Sequence, residues 1–283
     1  MLRNDNPASP LLDGSWCIFE VQGGTVGPND RMVAELLANR GHIFNSQQDG
    51  FEVLTLALPH ARVDAFGGLV ALRELGVTAP LASVPNEGSR WGTAKGYAYR
   101  HAWVSAPALH HRSRTLTQRI LDHLQRRVPW LSDTTFALPI ALDDLSSLDR
   151  GTMWGNSLVL ATLAGPQLQA AVQSPKENWL RGVRHRAERT LAALKRRPIC
   201  LKPPWLLLSS LGRLDTYGWM PRLPPSVLTM VPTPSHPDCA NIVFWGYGES
   251  QALTLCAKDG HRVLAQGGLV AQAWKEALHV VEN

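Results

Sequence analysis

Apolar and polar positions alternate through GSWCIFEVQ, residues 14–22, and predict an opening strand. Gly23-Gly24 and Gly27-Pro28 follow as turn signals. From Asn29 or Asp30, either of which can cap a helix, the period lengthens. Met32, Val33, Leu36 and Leu37 then form the buried stripe of a helix through about Asn39. A loop over Asn45 to Gly50 leads into the apolar run Val53 to Leu58, which has the length of a buried strand and is cut by Pro59. Beyond Gly67-Gly68, the apolar positions Leu69, Leu72 and Leu75 return at helical spacing, and the helix ends near Gly76. The stretch Phe51 to Val77 therefore reads as strand, tight loop, helix.

Residues 79–96 hold Pro80, Pro85, Gly88, Gly92 and Gly96 with little periodicity, which marks a crossover between two lobes or a mobile loop. The chain divides there into an amino-terminal lobe, residues 1–96, and a carboxy-terminal lobe, residues 97–283. In the second lobe, Tyr97 to Val104 predicts a strand. Thr115 caps a helix over Leu116 to Val128, with Ile120, Leu121 and Leu124 on one face, and Pro129 stops it. Thr135 to Leu142 reads as a strand, and Glu177 to Arg197 as a basic helix ended by Pro198. A strand pair (Ile242 to Tyr247, Gln251 to Ala257), a turn at Asp259-Gly260 and a helix from about Gly268 to Val281 close the chain.

Composition narrows the classes. At 283 residues, with 45% hydrophobic and 18% charged residues, the chain can bury a substantial core and is not a disordered polymer. It contains no apolar run of about 18 residues, so no membrane span is expected. The stretch MLRNDNPASPLLDG lacks an apolar signal core and reads as a cytosolic start, giving a cytoplasmic protein. Cys17, Cys200, Cys239 and Cys256 are widely spaced and read as reduced thiols, mostly in the core. A net charge of +5 fits an anionic partner (coenzyme A phosphates, an acidic carrier protein or nucleic acid) or ordinary surface charge. Ten tryptophans point to wide apolar surfaces or an aromatic-lined cavity.

Pro59 is followed at once by His60, and four residues later comes Asp64. A histidine on the loop leaving a buried strand is held by a rigid element yet can reach a cleft, where a general base is useful. The order strand, H-x-x-x-D, small residue, helix resembles the HHxxxDG motif of the chloramphenicol acetyltransferase-like superfamily. That superfamily includes the condensation domains of peptide synthetases, the polyketide-associated and wax-ester acyltransferases and the plant BAHD acyltransferases. Here the second histidine and the aspartate are kept, while Pro59 replaces the first histidine and Ala65 the glycine. Later segments extend the resemblance in the right order: Thr115, Pro139-Ile140, Gly155-Asn156, the Ser209-Ser210-Leu211-Gly212-Arg213 strand end, and Tyr217-Gly218-Trp219. The chain before His60 is short for this superfamily.

The resemblance implies a mixed α/β, two-lobed chloramphenicol acetyltransferase-like fold with a reduced amino-terminal lobe and an active site between lobes. It implies an acyltransferase of natural-product biosynthesis. The acyl group would come from an acyl-coenzyme A or a carrier-protein phosphopantetheine thioester, and would pass to a small-molecule hydroxyl or amine. The thioester carries the activation, so no bound cofactor is required. Acyl transfer needs a group to take the acceptor's proton and a donor for the oxyanion. His60 supplies the first, expected at the open mouth of a channel. Asp64 shapes the loop and, as the superfamily implies, pairs with an arginine, for which Arg213 is the candidate. Ser209, Ser210 and the amides after Asp64 are oxyanion-donor candidates, and Asn156, Tyr217 and Trp219 complete the expected substrate-binding set.

Other readings stay open at the level of sequence. The chain can be a catalytically altered relative: a cyclase or hydrolase of a carrier-bound chain, or a non-catalytic binding subunit. His110-His111 is the only adjacent histidine pair and an alternative to the motif at His60, although its sixth position is Thr115. Arg181, Arg184, Arg189 and Arg196 surround the basic helix, as a solvated face or a docking face for a carrier or coenzyme A. The lack of interleaved aromatics weakens a single-stranded nucleic-acid reading of that helix, and a basic nucleic-acid-binding protein stays as a third rival, although no nucleic acid is expected. GxSxG, GxxxxGK[ST] and HExxH signatures are absent, and the histidines show no close metal-ligand grouping, so no metal is expected. Oligomeric state is left open; a shortened first lobe leaves apolar surface for a partner to cover.

Overall fold

The computed structural model describes residues 14–48, 50–80, 87–106, 114–141, 158–194 and 205–279. Two sheets carry the molecule, in the order β2-β3-β1-β9 and β4-β5-β11-β10-β8-β6-β7. The first is built from β1 (Trp16–Gln22), β2 (His42–Gln48), β3 (Phe51–Pro59) and β9 (Leu228–Pro232), all antiparallel. Helices α1 (Asp30–Ala38) and α2 (Ala65–Glu74) cover one of its faces. The second, larger sheet holds β4 (Gly88–Ala94), β5 (Tyr97–Ser105), β6 (Thr135–Ala141), β7 (Leu158–Leu163), β8 (Trp205–Arg213), β10 (Ala240–Tyr247) and β11 (Ser250–Lys258). It is mixed: β8 runs parallel to both β6 and β10, while its other pairs are antiparallel. Helices α3 (Leu116–Arg127), α4 (Gly165–Val172), α5 (Lys176–Leu194) and α7 (Gly267–His279) share its core. The short α6 (Arg262–Ala265) leads into α7.

The alternation of β1 decides how the sheets stack. Cys17, Phe19 and Val21 face α2, together with Leu54, Leu56 and Leu58 of β3. The residues between them face the second sheet, where Ile18, Ala57 and Val231 meet Tyr99 and Cys256. On the α2 side the approach is so close that a Cβ at Gly68 would lie 2.1 Å from the Phe19 ring. Glycine is thus required at that helical position for packing, despite its low helix propensity.

Several elements match the pattern reading. Asn29 caps α1 by accepting from the Met32 amide, and Thr115 forms a capping box with Gln118 at α3. In α5, Trp179, Val183 and Ala187 are buried at i, i+4, i+8, and Arg181, Arg184 and Arg189 are exposed, which is a solvated basic face.

Other elements differ from expectation. The predicted loop at 45–50 is mostly the edge strand β2. Its residues HIFNSQQ are exposed or half-buried, so no buried face writes an apolar alternation into the sequence. The predicted crossover at 79–96 contains β4, which turns into β5 through Lys95 and Gly96, both at positive φ (52° and 78°), as two-residue hairpin turns require. A boundary at residue 96 would therefore cut a hairpin: β4 belongs to the second sheet. Conversely β9, which the sequence reading passes over along with α4, leaves the second half of the chain to complete the first sheet. Trp16 N–H donates to Thr233 Oγ1 (2.7 Å) and Asn241 Nδ2 to Pro232 O (3.2 Å) around that excursion, linking the two sheets.

Candidate functional site

His60 is the first residue past β3. Its backbone N–H donates to Ser15 O (3.0 Å), and Pro59 O accepts from Arg62 N (2.9 Å) and Val63 N (3.1 Å), which folds the chain into a tight corner. Asp64 then caps α2, its Oδ1 accepting from Gly67 N at 2.8 Å. Asp64 is fully buried and His60 is only 6% exposed. Burial pushes the His60 imidazole down to about 4, against a smaller opposing pull from the Asp64 carboxylate. At neutral pH the ring is uncharged and a nitrogen lone pair can accept a proton. The same surroundings push the Cys17 thiol far up, through burial first and Asp64 second, so it stays protonated.

This corrects the expectation of an imidazole at an open mouth. The ring is buried instead, and His60 is not among the residues lining the cavities of about 750, 380 and 160 Å³ formed by described residues. The reason is the register: Pro59 pairs with Trp16, so the corner is clamped under the start of β1, between the fully buried Leu58 and Val63.

The other expected residues separate into two groups. Tyr217 and Trp219 do come to the corner's helix. The Tyr217 ring meets Phe66 of α2 edge-on (5.7 Å, 84°), and the Arg73 guanidinium lies 5.5 Å from the Trp219 ring. Ser209 and Ser210 lie on β8, half-buried and exposed respectively. Ser210 lines the 160 Å³ cavity with Gly212, Arg213, Phe244 and Gln251. Arg213 does not supply the expected partner of Asp64: its guanidinium forks onto Asp215 (Nε–Oδ1 3.3 Å, Nη2–Oδ2 2.6 Å) and holds that carboxylate below its ordinary range. The acid two residues on is within easy reach of the half-exposed Arg213, whereas Asp64 is sealed in the core. Asn156 and the pair His110-His111 lie outside the described residues. Among the described residues no group of three His, Cys, Asp or Glu is placed to hold a metal, and no helix is long and apolar enough to cross a membrane.

No protein-family model matches the chain, and no curated protein matches it by sequence. Solved structures do match by fold. The cyclization-docking bidomain of the EpoB nonribosomal peptide synthetase from Sorangium cellulosum superposes with a TM-score of 0.52 at 11% identity, over 99% of this chain and 84% of that one. The starter condensation domain of the rhizomide synthetase RzmA superposes with a TM-score of 0.50 at 11% identity, over 96% and 92%. The chain has the chloramphenicol acetyltransferase-like fold of the condensation domains. The corner at His60 and Asp64 joins β3 of the four-stranded sheet to α2.

The sequence reading passed over a second polar group in this fold. Glu20 is 7% exposed in the middle of β1, and Tyr99 of β5 donates its O–H to Glu20 Oε2. The signal was one acid inside the otherwise apolar WCIFEV run.

Proposed function

We propose that the protein is a condensation-type acyltransferase that moves an acyl group from a coenzyme A or carrier-protein thioester to a hydroxyl or amine acceptor. His60 takes the acceptor's proton as the acceptor oxygen or nitrogen attacks the thioester carbonyl. The carbon–sulfur bond then breaks, and the proton leaves with the thiol. The observation that supports this reading is the corner itself: His60 leaves β3 directly, and Asp64, locked as the cap of α2, fixes the loop that carries it. Asp64 acts here as a positioning residue. Ser210, beside a cavity, and the Tyr217–Trp219 wall are the proposed substrate contacts. A base with a pKa of about 4 is correctly unprotonated at pH 7 but weak, so its contribution belongs at the low end of the usual range for general bases, about 10²-fold.

A thiol-release assay with acyl-coenzyme A and acyl-phosphopantetheine thioesters, offered alcohols and amines, tests this. Wild type is expected to release thiol, and His60→Ala to slow release by about 10²-fold or more. Product mass separates transfer from hydrolysis. Unchanged release by His60→Ala would remove the imidazole from the chemistry. A second reading, a non-catalytic subunit that binds a carrier-bound chain, is favoured by the burial of His60 and by Pro59 in place of the first histidine. Thioester binding without thiol release by wild type is the result it expects.

A further inference from the structure

The largest of the three cavities, about 750 Å³, lies between the first sheet and the β4–β5 hairpin. Glu20 and Thr55 line its first-sheet side, where they are cross-strand partners, and Phe44 and Trp91 stand at it half-exposed (48% and 51%). Ala57, the lining residue of β3 nearest to His60, is three residues or about 10 Å at strand rise from it, and His60 does not line this cavity.

Its wall mixes apolar side chains with polar ones, and the Glu20 carboxylate is the buried acid among them. Tyr99 donates to Glu20 Oε2 and in turn accepts from Gln48 Nε2 (3.2 Å). Among the described residues Glu20 Oε1 carries no hydrogen bond, and no cation lies within ion-pair distance of the carboxylate. The nearby Arg90 donates instead to Gln22 Oε1 (3.2 Å) and Ser226 O (3.1 Å). Burial raises the pKa of Glu20, with the Tyr99 hydrogen bond and the Arg90 charge opposing it only in part. Lys95 is the one cationic lining residue, and its ammonium sits 4.3 Å from the Trp16 ring centre, while Asp259 adds a second acid to the wall. A small cation with an apolar body is what such a lining receives. The sequence also keeps the wall in place: a Cβ at Gly92 would lie 2.3 Å from the Tyr99 hydroxyl and 2.5 Å from Gln48 Nε2.

We propose that this cavity binds a small organic amine, its ammonium received by the Glu20 carboxylate and its apolar body lying between Phe44 and Trp91. The site rests on its own residues and does not depend on acyl transfer at His60.

Calorimetric titration of the full chain with phenethylamine and hexylamine, against 2-phenylethanol and hexanol as neutral counterparts, tests it. Saturable amine binding is expected, with the alcohols at least about tenfold weaker. Glu20→Gln should weaken the amines by at least about tenfold, to the level of the alcohols. Ala98→Phe, which fills the cavity and leaves the carboxylate untouched, should abolish binding of both and carries the test if Glu20→Gln does not fold. His60→Ala should leave amine binding unchanged, so loss of the acyl-transfer reading and loss of this one are told apart. Equal affinity for amine and alcohol, amine affinity unchanged by Glu20→Gln, amine binding that survives Ala98→Phe, or no saturable binding of either amine at millimolar concentration would overturn the proposal.

Discussion

The two faces of the first sheet are made by alternate residues of the same strands, and they are packed to opposite ends of the range. Phe19 points at α2 and leaves no room for a methyl group on Gly68. Glu20, the next residue, points the other way, into the wall of a cavity of about 750 Å³. The helix-covered face is a close-packed core in which the His60 backbone N–H donates to Ser15 O and Asp64 caps α2. The sheet-facing side keeps a buried acid at a cost in stability, next to space a ligand can occupy. One face is close-packed, and the other borders a cavity.

Acidification probes both faces at once and carries the largest expected effect. His60 is pushed down to about 4, and His101, which faces the first sheet from β5, down to about 3, chiefly by burial. The unfolded chain takes up these protons near pH 6.5 and the folded chain does not. Stability is therefore full above pH 6.5 and falls as pH drops toward 4, by about 3 kcal/mol for each histidine. Denaturant titrations at pH 7 and pH 4.5 read this out, and His60→Ala should flatten the dependence. A pH-independent midpoint would mean that these rings are solvated.

Gly68→Ala comes next. Forcing a methyl group against Phe19 costs about 3 kcal/mol, and the better helix propensity of alanine returns about 1, so a net loss of about 2 kcal/mol is expected by chemical denaturation. Adding Phe19→Leu should recover part of that loss. If Gly68→Ala is neutral, the α2 face is looser than described. Asp64→Ala removes the cap of α2 and should cost about 1 kcal/mol in the same experiment.

Glu20→Gln is the smallest effect and has the opposite sign. The amide can still accept from Tyr99 and has no charge to desolvate. Because the folded-state pKa of Glu20 is raised, its penalty is present at pH 7 and absent below the unfolded value. The variant should be more stable by up to about 1 kcal/mol at pH 7 and near neutral at pH 4. Destabilisation instead would show that Glu20 serves the packing of the two sheets.

Much of this molecule is written locally. The strand–corner–helix from Phe51 to Glu74, the capping box at Thr115 and the buried stripe of α5 follow from period, proline and cap residues that act within a few positions of one another. The sequence order of these pieces also carried the resemblance that the fold bears out. The polar strand β2 and the short β9 were not legible, because an edge strand need not alternate and a five-residue strand is defined by the neighbour it pairs with. Nor was the true partner of Arg213, since an ion pair depends on which carboxylate is reachable and solvated.

What the sequence by itself determined is the set of elements whose stabilising contacts are near in the chain, together with the presence of one histidine and one aspartate at a strand-to-helix corner. Only the tertiary structure decided that the side chains of this corner are buried, that residues 228–232 return to complete the first sheet, and that Glu20 lines a cavity. Those outcomes depend on pairing between segments up to about 200 residues apart, as in Ile18 opposite Val231, and on how far solvent is excluded when two sheets meet. No short window of the chain encodes either.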